Sequence, residues 1–383
     1  MRILHTSDWH VGKVLKGRDR EDEHKRVLAD VVKIAEAERP DLVIVAGDLY
    51  DTAAPAPSAT KLVTRALSAL RRTGAQVVAI GGNHDNGPAL DALRPWADAA
   101  GIILRGSVRD RPDELLITGT TTRGESWQLV TVPFLSQRYA IRAAEMYELS
   151  AAEASQTYAD HIARLIARLS ERFAEPGTVN LLTAHLTVVG ASSGGGEREA
   201  HTVMGYAVPA TVFPANAHYV ALGHLHRSQH VIASCPARYC GSPLAVDFGE
   251  EENVCSVAVV DVSADKAARI RDVPVTSAKT LRTVRGSLEQ LGSVKLPDAW
   301  LRVFVREAPR VGLREDVQDL LPNALEIRID PDMVPDRKGA QTAQRQGRSP
   351  RQLFGDYLDG RGNAEEGVRE LFDELYDEVS THS

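Results

Sequence analysis

Five short clusters of metal-binding residue types punctuate the chain: Asp8-Trp9-His10, Gly47-Asp48-Leu49-Tyr50-Asp51, Gly82-Asn83-His84-Asp85, His185, and Gly223-His224-Leu225-His226. Taken singly, most have ordinary explanations. The first suits a surface turn, and the second a strand exit with aspartate as helix cap. The third suits a tight turn, and the fourth a hydrogen-bonded core histidine. The last is less ordinary, because alternation along an extended segment sends both imidazoles the same way. Together the clusters hold five of the twelve histidines. Asp8, His10, Asp48, Asn83, His185, His224 and His226 offer nitrogen and oxygen donors and no sulfur. Such a set is too large for one tetrahedral zinc and suits two octahedral-leaning ions sharing a carboxylate. It favours manganese or iron and also accommodates zinc. Two ions about 3.5–4 Å apart clamp the attacking and leaving oxygens of an in-line phosphoryl displacement. His84 and Asp51 do not fit as further ligands. His84 would face the phosphate, neutralising charge or protonating the leaving alkoxide, with Asp51 orienting it.

These residues need elements to converge them, and each cluster follows an apolar strand signal. Strands are expected at Arg2–Thr6, Leu42–Ala46, Gln76–Ile80, Ile102–Leu104, Val179–Thr183 and Tyr219–Leu222, with helices over Arg20–Glu38, Pro57–Arg72 and Leu90–Ala100. Buried strands separated by helices imply an α/β layered core, whose binding sites form beyond the carboxyl ends of the strands. Leu115–Thr121 and Trp127–Pro133 read as a more exposed antiparallel pair, and shorter strands run on to about Val275. Ser150 with Glu153 forms a capping box opening a helix towards Phe173. Gly190–Gly196 is either a surface connection or a mobile lid over a site. Residues 279–330 restart the pattern as a small α/β capping domain after a 1–278 domain. Residues 331–350 have the composition of a solvated linker, and 351–383 carry helices. Leu353, Phe354, Tyr357 and Leu358 stripe the first of these. Val368, Leu371, Phe372, Leu375, Tyr376 and Val379 stripe the second. Such a tail either folds back on its own core or, beyond a polar linker, docks onto another chain.

Composition narrows the class. The 383 residues are 43% hydrophobic and 25% charged, an ordinary globular balance. No apolar run approaches the ~20 residues of a membrane span, and Asp8 and His10 stand where a signal peptide would be apolar. Cys235, Cys240 and Cys255 form no CxxC and read as reduced thiols in a cytoplasmic protein. The net charge of −7 is concentrated in the last 21 residues, so the body is nearly neutral and a local basic face towards phosphates stays open.

The ordered set DxH, GDxxD, GNHD, His and GHxH resembles the calcineurin-like metallophosphoesterase superfamily, over residues 1 to about 260. The resemblance implies a β-sandwich flanked by helices. One ion would be held by Asp8, His10 and His226, the other by Asn83, His185 and His224, with Asp48 bridging. His84, paired with Asp51, would match the transition-state histidine. Ser7-Asp8-Trp9-His10-Val11-Gly12, Ala221-Leu222-Gly223-His224-Leu225-His226-Arg227, the cap and the terminal helices are similar to the SbcD family of bacterial nuclease subunits. That resemblance implies a manganese-dependent DNA nuclease, exonucleolytic on duplex ends and endonucleolytic on single strands and hairpins. It also implies a homodimer and docking of the C-terminal helices onto an SbcC-like coiled-coil ATPase. The residues that touch DNA are not identified by it. A small-substrate phosphodiesterase or phosphatase would share the metal site but leave cap and tail unexplained. A DNA-end scaffold with structural metals would leave His84 unexplained.

Overall fold

In chain order the strands are β1 (Arg2–Thr6), β2 (Val14–Leu15), β3 (Arg18–Asp19), β4 (Leu42–Val45), β5 (Gln76–Ile80), β6 (Ile102–Arg105), β7 (Leu116–Thr120), β8 (Ser126–Val132), β9 (Val179–His185), β10 (Thr187–Val188), β11 (Ala207–Val208), β12 (Tyr219–Gly223), β13 (Gln229–Val231), β14 (Ala237–Tyr239), β15 (Ser256–Ser263), β16 (Lys266–Pro274), β17 (Thr280–Gly286), β18 (Ala299–Val305) and β19 (Ala324–Ile329). The helices are α1 (Glu21–Glu38), α2 (Pro57–Arg72), α3 (Gly87–Ala92), α4 (Arg94–Ala99), α5 (Tyr158–Leu169), α6 (Leu288–Gly292), α7 (Leu313–Leu320) and α8 (Glu366–Thr381). The computed structural model describes residues 1–108, 114–136, 158–197 and 206–333, and further on 352, 354, 355, 358 and 366–381. The Ser150–Glu153 capping box, most of the 331–350 linker, Leu353 and Tyr357 lie outside the described residues, as does the side chain of Val379.

Two six-stranded sheets face each other. The first runs β16-β15-β1-β4-β5-β6, the second β13-β14-β12-β9-β8-β7. In the second, four central strands are parallel and an antiparallel strand closes each edge. In the first, β1, β4, β5 and β6 are parallel, β6 forms one edge, and the antiparallel β15 and β16 close the other. The pleat explains the layering, because successive side chains leave by opposite faces. On β4, Leu42 and Ile44 enter the space between the sheets while Val43 and Val45 meet the helices. On β12, Tyr219 and Ala221 face inward while Val220 and Leu222 meet the layer around α5. Helices α1 to α4 cover the first sheet. Val27, Leu28, Val31 and Ala35 on α1 recur at helical spacing and are buried. Glu21, Asp22 and Glu23 occupy its first turn, where the helix dipole favours negative charge. The α/β class expected from the chain is therefore observed, as a four-layer sandwich.

Three local expectations are corrected. The Trp127–Pro133 segment pairs antiparallel with β7 but is no exposed strand. As β8 it also pairs in parallel with β9, and all but its first residue are buried. Leu90–Ala100 is two helices rather than one. Pro95 sits in the first turn of α4, where it has no N–H to continue the preceding helix. The strands before Val275 are not all short, since β15 and β16 run eight and nine residues and close the first sheet.

Residues 280–329 form a separate parallel sheet, β17-β18-β19, with α6 and α7 covering Leu301, Val303 and Val305. Ser287 and Gln290 form a reciprocal capping box on α6. On α8, Val368, Leu371 and Leu375 are exposed, and Phe354 stacks on Phe372 with ring centroids 4.0 Å apart.

Candidate metal centre

The carboxyl ends of β1, β4 and β5 in one sheet meet those of β9 and β12 in the other. That convergence carries Asp8, His10, Asp48, Asn83 and His84 from the first sheet to His185, His224 and His226 from the second. The Asp8 carboxylate accepts the His224 backbone N–H at 3.0 Å, and His185 Nδ1 donates to the Ala46 carbonyl at 2.8 Å, so the two edges are sewn together at the site. Three interlocking clusters result: Asp8, His10 and His226; His10, Asp48 and His84; Asp48, His185 and His224. Asn83 completes them, with Oδ1 2.9 Å from His185 Nε2 and 2.8 Å from His224 Nδ1. All seven sequence-predicted donors therefore share one cleft.

The backbone is bent to achieve this. Asp8, His10, Asp48 and His224 have positive φ, and they are four of the six non-glycine residues that do so among those described. Such conformations cost of order 1–3 kcal/mol each and persist only where the surroundings enforce them. Two glycines are required by close approach. A Cβ on Gly82 would lie 2.1 Å from Asp48 Oδ1, and one on Gly47 would lie 2.2 Å from His185 Nδ1.

The donor set fits cations. His226 Nδ1 donates to Glu250 Oε1 at 2.6 Å, which leaves the neutral ring a lone pair at Nε2, and that atom lies 3.0 Å from His10 Nε2. His185 Nδ1 is likewise committed to a carbonyl, so its Nε2 lone pair faces Asn83 Oδ1 and Asp48 Oδ2, the latter at 3.4 Å. Lone pairs aimed at one another in a buried cleft call for positive charge between them. The electrostatics agree. Burial opposes protonation of His185 and His226, yet Asp48 raises the first to about 9 and Glu250 raises the second to about 10. Burial alone dominates at His10, which falls to about 3 and stays neutral. The site therefore favours positive charge beside both rings, the role that divalent cations would take.

His84 is placed differently from the rest. Its backbone N–H donates to Asp48 Oδ1 at 2.8 Å, and its Nδ1 donates to the Asp51 carbonyl at 2.8 Å. The Asp51 carboxylate was expected to orient His84, but it is 4.0 Å from Nδ1. It lies nearer His10 Nδ1, at 3.6 Å, and Lys13 Nζ, at 3.2 Å. The residue meets His84 through its main chain because the turn after Asp48 points the carbonyl, not the side chain, at the ring.

Sequence reasoning left out several supporting residues. Asp85 accepts N–H bonds from Leu49, Tyr50 and Gly82, tying the second cluster to the third, and burial beside Asp48 raises its carboxyl pKa. Its place in GNHD was the available signal. Glu250 holds His226, and Glu197 accepts the backbone N–H groups of Gly194, Gly195 and His226. Nothing in their local sequence marks either. Through Glu197 the glycine-rich segment Gly194–Gly196 lines the wall of the cleft beside His226. Phe134 extends the opposite wall, stacked near His224 and Tyr206.

Residues 1–228 match the family described as Calcineurin-like phosphoesterase. The SbcD subunit of the nuclease SbcCD from Bacillus subtilis (strain 168) is 34% identical over 327 residues, covering 82% of this chain and 81% of the relative. The protein of the same name from Escherichia coli (strain K12) is 32% identical, covering 80% and 78%. That from Rhodobacter capsulatus is 35% identical, covering 72% and 69%.

Proposed function

Because this chain belongs to the calcineurin-like phosphoesterase family, and within it to the SbcD nucleases, we propose that it is the metal-dependent nuclease component of an SbcCD-type complex, hydrolysing DNA phosphodiester bonds. The observation that carries the chemistry is the convergence of seven buried or half-buried nitrogen and oxygen donors from two sheets on one cleft. Asp8, His10 and His226 would hold one divalent cation, and Asn83, His185 and His224 the other, with Asp48 between them. Mn2+ suits this mixture of imidazole, carboxylate and amide. When bound, the pair supplies charge stabilisation to an in-line displacement at phosphorus.

The chain's own residues do the rest. Glu250 and the Ala46 carbonyl fix the tautomers of His226 and His185 so that both present Nε2. The His84 amide holds the Asp48 carboxylate in place. The Asp51 carbonyl holds the His84 ring through Nδ1, and the ring would face phosphate, to neutralise developing charge and protonate the leaving alkoxide. The unit at residues 279–330 would act as a cap and the apolar stripe on α8 as the docking face for an SbcC-like coiled-coil ATPase. The exposure of Val368, Leu371 and Leu375 supports that role. A homodimer, a cytoplasmic setting, exonuclease action on duplex ends and endonuclease action on single strands and hairpins belong to the same proposal. No helix among the described residues is long and apolar enough to cross a membrane.

Turnover of a DNA hairpin, compared with a cyclic nucleotide and a phosphopeptide under Mn2+, tests the reading. Cleavage of the hairpin is expected. Turnover of either small substrate with intact hairpin would replace the nuclease by a small-substrate phosphoesterase.

A further inference from the structure

Between the cap and the metal centre runs one short segment, Ala245–Glu251, which is tied to both. Glu250, fully buried, holds His226 Nδ1 with one oxygen and the Val246 N–H with the other, at 2.6 and 2.8 Å. On the cap side, Glu251 accepts the Thr283 N–H of β17 with both oxygens, at 2.9 and 3.0 Å. Phe248 is buried under the Arg302 guanidinium of β18, 5.3 Å from the ring centre, and joins Leu281 in a small core that Trp300 also touches. The third restraint is indirect. Trp300 Nε1–H donates to Glu23 Oε1 at 2.6 Å. Glu23 pairs with the buried Arg20, and Arg20 donates to the Ala245 carbonyl at 2.5 Å.

The cap therefore grips this segment at its start, middle and end, and the residue left to face the metal cleft is the partner of a metal ligand. We infer that the cap positions the metal centre, with Trp300 and Glu251 acting through Glu250 to hold His226 in ligating geometry. The inference rests on the metal-centre reading above. It makes the ion beside His226 sensitive to how the cap is seated, while the ion at Asn83, His185 and His224 is not. The latter residues take their support from Ala46 and Asp48, outside the gripped segment.

The test is titration of Mn2+ into full-length protein by calorimetry, for the wild type, Trp300→Phe, Glu251→Ala and Glu250→Gln, with His226→Ala marking which binding step belongs to that ion. Trp300→Phe and Glu251→Ala are expected to weaken that step about three- to tenfold, less than the ~10–100-fold typical when a ligand's direct partner is lost, as in Glu250→Gln. The other step should be unchanged, and kcat on a hairpin should fall with KM held. If Glu250→Gln weakens the step but both cap variants leave it at the wild-type value, the cap does not position the site, although the metal centre stands. A rise in KM with unaltered Mn2+ affinity would overturn the inference too. A wild type that takes fewer than two ions would remove the metal-centre reading, and this inference with it.

Discussion

Asp48 is the residue on which both ion sites depend. One oxygen is fixed by the His84 amide, and the other lies 3.4 Å from His185 Nε2 and 3.6 Å from His10 Nε2. Asp48→Ala should therefore remove metal and activity together, read as metal content after dialysis beside hairpin cleavage. His84 stands apart, since its side chain is tied to the Asp51 carbonyl. His84→Ala should keep its metal and lose about 10²–10⁴-fold in kcat, the usual worth of a positioned acid. Metal loss in that variant would make His84 a ligand instead. The Asp51 carboxylate carries less weight in this picture, because its main chain makes the contact.

The strand exits decide whether these residues meet. β1, β4 and β12 deliver their ligands on positive-φ backbone, and Gly47 and Gly82 leave the room that neighbouring ligands fill. Gly82→Ala places a methyl group 2.1 Å from Asp48 Oδ1. It should lower Mn2+ affinity with little change in helix and strand content by circular dichroism. Behind the site, the inter-sheet layer supplies rigidity. Leu181 on β9 is fully buried there, and Leu181→Ala should cost about 2–5 kcal/mol in urea unfolding. A cost below about 1 kcal/mol would mean the sheets are held chiefly by other contacts.

Across the whole molecule, the site joins two sheets that are otherwise held by apolar packing and a few polar ties. Cations bound there would cross-link the sandwich and stabilise the folded chain over the unfolded one. Mn2+ should raise the wild-type Tm by several degrees and leave that of Asp48→Ala unmoved. An equal rise in both proteins would place the stabilising metal elsewhere. The C-terminal stripe contributes none of the seven donors. Deleting residues 351–383 should spare intrinsic hairpin cleavage and abolish co-purification with an SbcC-like ATPase. Retained capture would put the docking face on another surface.

The donor types and their order were legible in the chain because each follows or ends a continuous apolar strand, which is local information. So was the α/β class. The location of β8 inside the second sheet was not. Its neighbours β7 and β9 are chosen by long-range pairing, and the amide N–H groups of its buried Gln128 donate to Asn180 Oδ1 and the Arg172 carbonyl from elsewhere in the sequence. The same holds for Glu250 and Glu197, ordinary acids in ordinary loops until folding sets them against His226. By itself the sequence determined which atoms can bind a cation and which strands present them. Tertiary structure alone decided which lone pairs face one another and what holds each ring, because those contacts join residues far apart in the chain that only the packing of two sheets brings within about 3 Å.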